Sequence, residues 1–288
     1  MPPSAEFGSV AVPDPTLHFP RILALHGGGT NAIIFKTQCR VLEPALNSHF
    51  RLVYVQAPFP SLPGPDVLSV YKEWGPFKAW LVSASLPAPQ TAAEKSRVAR
   101  DVVGKLNHAI ATALSADDLL GATGPVVATL GFSQGAKLAA SILMTEQTQR
   151  RRLAAQGLYS AGLTTAWPDL RFAVLMAGRG PFIWLEPESE TPEGMLEAWH
   201  PWSAQVEPVV SEDAEEDEHL LALPTLHVHG LKDVGLEFHR KMLEQYCAPG
   251  STTLIEWDGD HRLPIKSKDV RDVVDQVIAL GRATGVLD

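Results

Sequence analysis

The chain has 288 residues, 45% of them hydrophobic, which allows one large buried core, and α/β folds of this length commonly form a single domain. The formal net charge of −9 argues against a nucleic-acid-binding surface. No apolar stretch reaches transmembrane length and the N-terminus lacks a signal-peptide pattern, so we expect a cytoplasmic protein with no membrane partner. Cys39 and Cys247 have no CxxC spacing, and we expect no disulfide, metal site or cofactor.

The first elements alternate between strand and helix patterns. After an N-terminal arm over residues 1–18, the apolar run RILALH at Arg21–His26 predicts a buried strand that ends in a glycine-rich turn. Apolar residues near helical spacing then predict a helix over Ala32–Phe50, with a polar N-cap just before it. The run RLVYVQ at Arg51–Gln56 predicts the second strand.

Residues 57–80 break this pattern, because prolines and aromatic residues replace any regular spacing. A loop of this length is unusual in a compact domain unless it is functional. We therefore interpret it as one wall of a substrate pocket, with Tyr71, Trp74 and Phe77 as candidate substrate-binding residues. The alternative is that these aromatic side chains only pack the loop onto the core.

The rest of the chain continues the alternation. Helical spacing predicts a helix over Thr91–Ser115, and a strand at Val126–Leu130 leads into a helix that reaches about Glu146. Further patterns predict strands at Arg171–Ala177, Pro224–His229 and Thr252–Trp257, and helices at Leu236–Cys247 and Ser267–Thr284. The amphipathic stretch Arg150–Tyr159 is a candidate continuation of the helix that reaches about Glu146. Such alternation implies right-handed crossovers, so the predicted fold class is α/β, with a mostly parallel sheet of about six strands and helices on both faces.

An insertion without clean periodicity lies between the fourth and fifth strands, over about residues 178–222. Its aromatic part predicts a lid over the site and provides two more candidate substrate-binding residues, Trp184 and Trp199. The acidic run SEDAEEDE at Ser211–Glu218 is interpreted as a solvated loop, because like charges repel and nothing apolar anchors them.

The motif GFSQG at Gly131–Gly135 lies between the strand at Val126–Leu130 and the helix that follows. Its glycines suit a sharp turn in which a Cβ two positions before or after the serine would collide with neighbouring backbone. The five residues alone are a weak signal, since a glycine-rich turn is often only a turn. In a strand-to-helix context, however, G-x-S-x-G predicts that Ser133 is the exposed nucleophile of an α/β-hydrolase fold.

A serine hydroxyl becomes a good nucleophile only when a base removes its proton, and the base needs a carboxylate to fix its tautomer. In this fold the order along the chain is serine, acid, histidine. Asp233 follows the strand PTLHVH and His261 follows the strand TTLIEW, so we predict Ser133, Asp233 and His261 as the catalytic residues. Asp258 and Asp260 are weaker candidates for the acid, because they lie too near His261 along the chain to orient it easily.

The other histidines have simpler interpretations. His227 and His229 alternate within a predicted strand and are expected to be sheet residues, with His229 also a candidate for positioning the acid loop. His200, in the insertion, is the one serious rival base. The histidines on the arm, on helices or in a loop are expected to be solvated: His18, His49, His108, His219 and His239.

Attack on an acyl carbonyl also needs hydrogen-bond donors for the developing oxyanion. The fold takes one donor from the backbone N–H after the nucleophile, here Gln134, and one from the loop after the first strand, here HGGGTN. Gly28 is the first choice for the second donor and Gly29 the reserve, against the alternative of a plain glycine-rich turn. A phosphate-binding loop is excluded, because no Lys-Ser/Thr follows the glycines and GxGxxG is absent.

Taken together, the segments LALHGGGTNAIIF, VQAPFP, YKEWGPFKAW, GFSQGA, LHVHGLKD and GDHRLP resemble the fungal serine hydrolase (FSH-type) family of small α/β-hydrolases. The resemblance covers the chain from Arg21 to about Ala279, with the motifs in the family's order. Carried over residue by residue, the family's triad falls on Ser133, Asp233 and His261.

The resemblance also implies a role, because several members of this family are stand-alone esterases or thioesterases of fungal polyketide biosynthesis. They release or edit an acyl chain held on a carrier protein, so the implied partners are an acyl or polyketide (thio)ester and an acyl carrier protein domain of a polyketide synthase. Two alternatives stay open. One is a carboxylesterase for small oxygen esters; the other is a catalytically idle scaffold that binds a ligand or partner, against which an intact triad weighs.

Overall fold

The computed structural model describes residues 14–65, 67–81, 88–158, 168–200 and 219–288. Within them the strands are β1 (Arg21–Leu25), β2 (Arg51–Val55), β3 (Phe59–Pro60), β4 (Lys78–Ala79), β5 (Val126–Phe132), β6 (Phe172–Met176), β7 (Phe182–Trp184), β8 (Met195–Glu197), β9 (Thr225–Gly230) and β10 (Thr252–Trp257). The helices are α1 (Ala32–Gln38), α2 (Leu42–Leu46), α3 (Leu68–Tyr71), α4 (Ala92–Leu119), α5 (Gln134–Ala155), α6 (Leu236–Tyr246) and α7 (Ser267–Ala283). The predicted acidic loop Ser211–Glu218 lies outside the described residues.

Six strands form one sheet in the order β10-β9-β6-β5-β1-β2, and every neighbouring pair is parallel. The four inner strands β1, β5, β6 and β9 are buried along almost their whole length, because both faces of the sheet are covered. On β1, Leu23 and Leu25 join a hydrophobic cluster with α4 and α5, while Ile22 and Ala24 join a second cluster with α1, α2 and α7. The predicted six-stranded α/β fold is confirmed.

The direction of the chain reverses between β1 and β5. From β1 the chain moves outward to β2, and it then returns to the other side of β1 as β5 before continuing to β6, β9 and β10. At such a reversal the carboxyl ends of two neighbouring strands leave a crevice, which is where open α/β sheets bind ligands. The glycine-rich turn after β1 and the GFSQG turn after β5 therefore meet at this edge.

One predicted helix is wrong in detail. The stretch Ala32–Phe50 forms two helices, α1 and α2, instead of one. Pro44 has no N–H to donate to the carbonyl of Arg40, and its ring would clash there, so a continuous helix cannot pass through this point. By contrast, the two stretches expected after the GFSQG turn form the single helix α5, which ends just before Gly157 at φ +69°.

The loop over residues 57–80 has more structure than its sequence indicates. It contains α3 and a short antiparallel pair, β3 and β4. Thr30 in the glycine-rich turn bridges to Lys78 of β4, so this loop is tied to the carboxyl end of β1. Across the described chain, no helix combines the length and the apolar character needed to span a bilayer.

Two histidines are buried in β9, the strand that carries the acid loop, as the alternation in its sequence predicts. His227 and His229 are each 1% exposed. Burial disfavours the charged imidazolium and lowers the pKa of His227 to about 3 and that of His229 to about 4. Both rings are therefore neutral in the folded protein at neutral pH.

Mild acid should destabilise the fold through these two rings. Because their pKa is near 6.5 only in the unfolded chain, the unfolded state binds protons first as the pH falls. Stability should be complete above about pH 6.5 and should fall toward pH 4, by up to about 1.4 kcal/mol per pH unit for each histidine. Urea unfolding at a series of pH values measures this slope.

The variant His227→Gln should flatten that slope, since glutamine does not titrate. The matched control is His108→Gln, on the exposed face of α4, which should leave the slope unchanged. An identical slope in the wild type and in His227→Gln would assign the acid sensitivity to other groups.

Candidate active site

The turn after β5 has the strained geometry that its sequence predicts. Ser133 has φ 53° and ψ −114°, and α5 begins at the next residue. A Cβ on Gly131 would lie 2.3 Å from the carbonyl oxygen of Gly135, and a Cβ on Gly135 would lie 2.0 Å from that of Leu25. Only glycine fits at these two positions, so the backbone can turn sharply and present the Ser133 side chain at the edge of the sheet.

The three residues predicted as catalytic form one chain of hydrogen bonds. The Ser133 hydroxyl donates to His261 Nε2, with Oγ and Nε2 3.0 Å apart. The Nδ1–H of His261 donates to Asp233 Oδ2 at 2.6 Å, and the other carboxylate oxygen accepts from the Gly235 N–H at 2.7 Å. The structure thus brings together a hydroxyl, an imidazole and a carboxylate from three separate loops.

The two alternative acids point elsewhere. Asp260 pairs with Arg262 at 3.4 Å and Asp258 with Lys232 at 2.6 Å, and both carboxylates are more than half exposed. The Asp233 carboxylate is fully buried. Burial alone would raise the pKa of Asp233, but the hydrogen bonds from Gly235 and His261, together with the close contact of His239, outweigh it and hold that pKa below its usual range. Asp233 is therefore ionised at neutral pH and can stabilise a cationic His261.

The two predicted oxyanion donors have free backbone N–H groups. The N–H of Gly29, the reserve choice, donates to the carbonyl of Lys78 at 2.9 Å and is not available. The N–H groups of Gly28 and Gln134 donate to no described residue. Gly28 and Ser133 line the same cavity. The two residues are close neighbours, because a Cβ placed on Gly28 would lie 3.0 Å from the Gln134 side chain.

Trp80 is hydrogen-bonded both to His26, where the glycine-rich turn begins, and to Gln134. The sequence did not indicate this role. The ring is fully buried, its Nε1–H donates to the carbonyl of His26 at 2.6 Å, and its backbone N–H donates to Gln134 Oε1 at 2.6 Å. His26 in turn accepts the Ala57 N–H on Nε2, and burial lowers the pKa of His26 to about 4, so the ring stays neutral. An irregular aromatic loop has no periodicity that would show which ring turns inward.

A cavity of about 790 Å³ opens over Ser133. Its walls are the glycine-rich turn, the residues around α3 and the turn after β10. Of the five candidate aromatic residues, Tyr71 is the one that lines it within the described chain. Aliphatic side chains that sequence reasoning did not single out provide much of the rest of the surface: Val67, Val70, Leu263 and Ile265.

The other four aromatic candidates lie outside this lining. Trp74 is 43% exposed and packs edge-on against Tyr71, and Phe77 is partly buried beside the same loop. Trp199 is partly buried against the core, with Lys95 Nζ 4.6 Å above its ring. The assignment of Trp184 is wrong: it is 1% exposed in the core.

The reason for this error is that the insertion begins by turning inward. Its first strand, β7, packs on α5, where the Ile183 N–H donates to the Ser141 hydroxyl at 2.9 Å. The Trp184 indole Nε1–H donates to Ser189 within the insertion. The described start of the insertion therefore completes the core, and it does not place Trp184 over the cavity.

The structure also bears on the predictions for His200 and His239. His200, the rival base, stacks on Trp199 with 3.8 Å between ring centroids and does not line the cavity. His239, expected to be solvated, is fully buried, so that prediction is wrong. It lies on the buried side of α6, which the three-residue spacing of its apolar neighbours Leu236 and Met242 could have indicated.

His239 also belongs to the one group in the described chain with metal-ligand geometry. Its ring nitrogen, that of His261 and an Asp233 oxygen lie within 4.8 Å of one another. Two ligands of a tetrahedral zinc ion would be about 3.3 Å apart, given bonds of about 2 Å. The 2.6 Å contact between His261 and Asp233 is the length of a charge-assisted hydrogen bond, so we assign no metal here.

Comparison with known proteins agrees with this geometry. Residues 16–273 match the family model described as "Serine hydrolase (FSH1)". The chain belongs to this family. It is 54% identical over 280 residues to "Esterase dbaE" of Emericella nidulans, covering 96% of this chain and 95% of that protein. It is 45% identical over 282 residues to "Esterase pigG" of Monascus ruber, covering 95% and 96%.

Among solved structures, the chain is similar to a carboxylesterase from Bacillus cereus, with a TM-score of 0.47 and 14% identity. The match covers 93% of this chain and 91% of that one.

Substitution of the buried Asp233 should distinguish its role from that of the exposed Asp260. Asp233→Asn should lower turnover of a p-nitrophenyl ester by about 10²- to 10⁴-fold, because the imidazole loses both its tautomer and its charge partner. The matched control, Asp260→Asn, removes an exposed carboxylate one residue before His261 and should change turnover by no more than about twofold. The opposite ranking of these two variants would make Asp260 the acid.

Proposed function

We propose that this serine hydrolase cleaves an acyl thioester or ester through an acyl-enzyme intermediate, with Ser133 as nucleophile, His261 as base and Asp233 as acid. The observation that carries the proposal is the unbroken chain of hydrogen bonds from the buried Asp233 carboxylate through His261 to Ser133, whose side chain borders an open cavity. The Gly28 and Gln134 N–H groups act as the oxyanion donors.

The reaction proceeds in two steps. As Ser133 Oγ attacks the acyl carbon, its proton moves to His261 Nε2, and the ionised Asp233 stabilises the resulting imidazolium. The carbonyl oxygen becomes an oxyanion next to the two free N–H groups, which stabilise it more than they stabilise the ground state. His261 then gives its proton to the departing thiol or alcohol, and a water molecule hydrolyses the acyl-serine by the same route in reverse.

The proposed substrate carries a medium to long acyl or polyketide chain. The cavity of about 790 Å³ is much larger than an acetyl group needs, and Val67, Val70 and Leu263 give it aliphatic walls. The resemblance to esterases and thioesterases of polyketide biosynthesis points the same way.

The proposed partner is an acyl carrier protein that presents the acyl group on a phosphopantetheine arm in the cytoplasm. In support, cationic side chains gather at the cavity of a protein whose formal net charge is −9. Arg40, which donates to the carbonyl of Thr37, and Arg179, which lies over the ring of Phe238, both line the cavity. Guanidinium groups are well suited to the phosphate of such an arm.

The second candidate is a carboxylesterase for small oxygen esters, which would use the same three residues. The naming of the relatives above as esterases favours it. The two candidates differ in how activity depends on acyl length and on the leaving group.

Covalent labelling tests the reaction itself. Ser133→Ala and His261→Ala should each abolish labelling by a fluorophosphonate probe while leaving the melting temperature close to that of the wild type. Because triad members act as a unit, the double variant should be little worse than either single one. Undiminished ester hydrolysis in Ser133→Ala would reject the serine mechanism, and an unlabelled wild type would favour an idle scaffold.

A homologous series tests the substrate. With N-acetylcysteamine thioesters from acetyl to octanoyl, kcat/KM should rise by up to about fourfold per methylene, since each buried methylene contributes about 0.8 kcal/mol, until the cavity is full. Val67→Trp, which narrows the cavity, should stop the rise at a shorter chain. The control Leu120→Trp lies at the exposed end of α4 and should not. Activity that falls from acetyl onward would favour the small-ester carboxylesterase.

A further inference from the structure

A second, fully buried imidazole lies against the Asp233 carboxylate. His239 Nε2 is 3.0 Å from Asp233 Oδ2, the same oxygen that accepts the hydrogen bond from His261. On its other side, His239 Nδ1 is 2.8 Å from the carbonyl oxygen of Gly178. The ring is thus held between two acceptors, one ionised and one neutral.

The ring of His239 also packs on the ring of His261. Their centroids are 6.0 Å apart with 27° between the planes, and His229 of β9 lies 5.8 Å away on another side. Substitution at position 239 would therefore loosen both the carboxylate and the ring that the carboxylate orients.

We propose that His239 is a positioning residue of this enzyme, which fixes the Asp233 carboxylate and shares its charge between two imidazoles, so that the basicity of His261 is set by both. This inference rests on the proposed function, because it takes His261 to be the base.

The two contacts with Asp233 Oδ2 differ in quality. The His261 contact is short and aligned, whereas the Nε2 of His239 is not aligned for a regular hydrogen bond. His239 is thus the weaker partner: when its ring carries a proton on Nε2, that proton withdraws part of the carboxylate's charge without replacing His261. One proton on a neutral ring can serve Asp233 or Gly178; an imidazolium would serve both.

The groups that face His239 from outside α6 belong to the strands β6, β9 and β10 or to the loops that follow them. They are His229 on β9, Asp233 in the loop after it, His261 in the loop after β10, and the Gly178 carbonyl after β6. Burial lowers the pKa of His239, Asp233 and Gly178 raise it, and a charge on His261 lowers it again. Because the two imidazoles repel when both are charged, they compete for one proton.

The shared carboxylate predicts how the pH dependence of kcat/KM changes when His239 is removed. Without His239, the whole charge of Asp233 acts on His261 and stabilises its protonated form. The apparent pKa of the acidic limb of kcat/KM should therefore rise, by about half a unit or more. A looser carboxylate should also lower kcat by about 10- to 100-fold with little change in KM, because His239 is not among the residues that line the cavity.

The test compares the pH profiles of ester hydrolysis in the wild type, His239→Phe and His239→Gln. Phenylalanine keeps the ring but removes both nitrogens, so it should show the raised acidic limb and the lower kcat. Glutamine keeps a donor near Asp233 and should recover most of kcat. The matched control is His227→Gln, a buried histidine of β9 whose ring contacts Thr225 and His229 rather than Asp233 or His239, which should keep the wild-type acidic limb.

A folded His239→Phe enzyme with the wild-type acidic limb would overturn the inference. If that variant does not fold, NMR of the histidine-labelled wild type decides. As the pH is varied, the ring resonances of His239 should shift together with those of His261, and resonances that change independently of one another would reject the shared carboxylate. If ester hydrolysis is lost in Ser133→Ala but unchanged in the His239 variants, this inference alone is rejected. If hydrolysis persists in Ser133→Ala, the proposed function is rejected.

Discussion

The close approach of the β5–α5 turn to β1 is the constraint on which the site depends. No Cβ could be placed on Gly135 without meeting the carbonyl of Leu25, and none on Gly131 without meeting Gly135. Because this contact is backbone against backbone, the chain has to pass through the positive φ of Ser133. The same turn presents the Ser133 side chain at the sheet edge, and the first N–H of α5, on Gln134, donates to no described residue.

The rest of the structure holds the groups that must meet this serine. On one side, the buried ring of Trp80 ties the β1 turn to Gln134. On the other side, Asp233 is held by the Gly235 N–H and by two imidazoles. The neutral rings of His227 and His229 are buried in β9, directly before the loop that carries Asp233, so the candidate acid and the sensitivity of the fold to acid belong to the same buried region.

Local patterns in the sequence were sufficient for the fold and for the three residues that the structure joins by hydrogen bonds, Ser133, His261 and Asp233. Each sheet strand is a short apolar run with a turn after it, so the six strands were located to within about two residues, as boundary signals usually allow. The motif around Ser133 and the positions of Asp233 and His261 after later strands follow from chain order alone, because parallel strands bring their carboxyl ends to one edge. One helix was misjudged where Pro44 interrupts an apolar pattern.

Tertiary packing decided everything that depends on which way an unpatterned side chain turns. Trp80 and Trp184 lie in irregular segments with no period, and both became core residues, whereas Tyr71 remained at the cavity. Asp233, Asp258 and Asp260 all lie in loops at one edge, and burial plus hydrogen bonding distinguish them. His239 is inside because α6 packs on the sheet, and its contact with Asp233 joins residues from different elements. The sequence determines local order and period, but burial and partners arise from contacts between segments far apart in the chain.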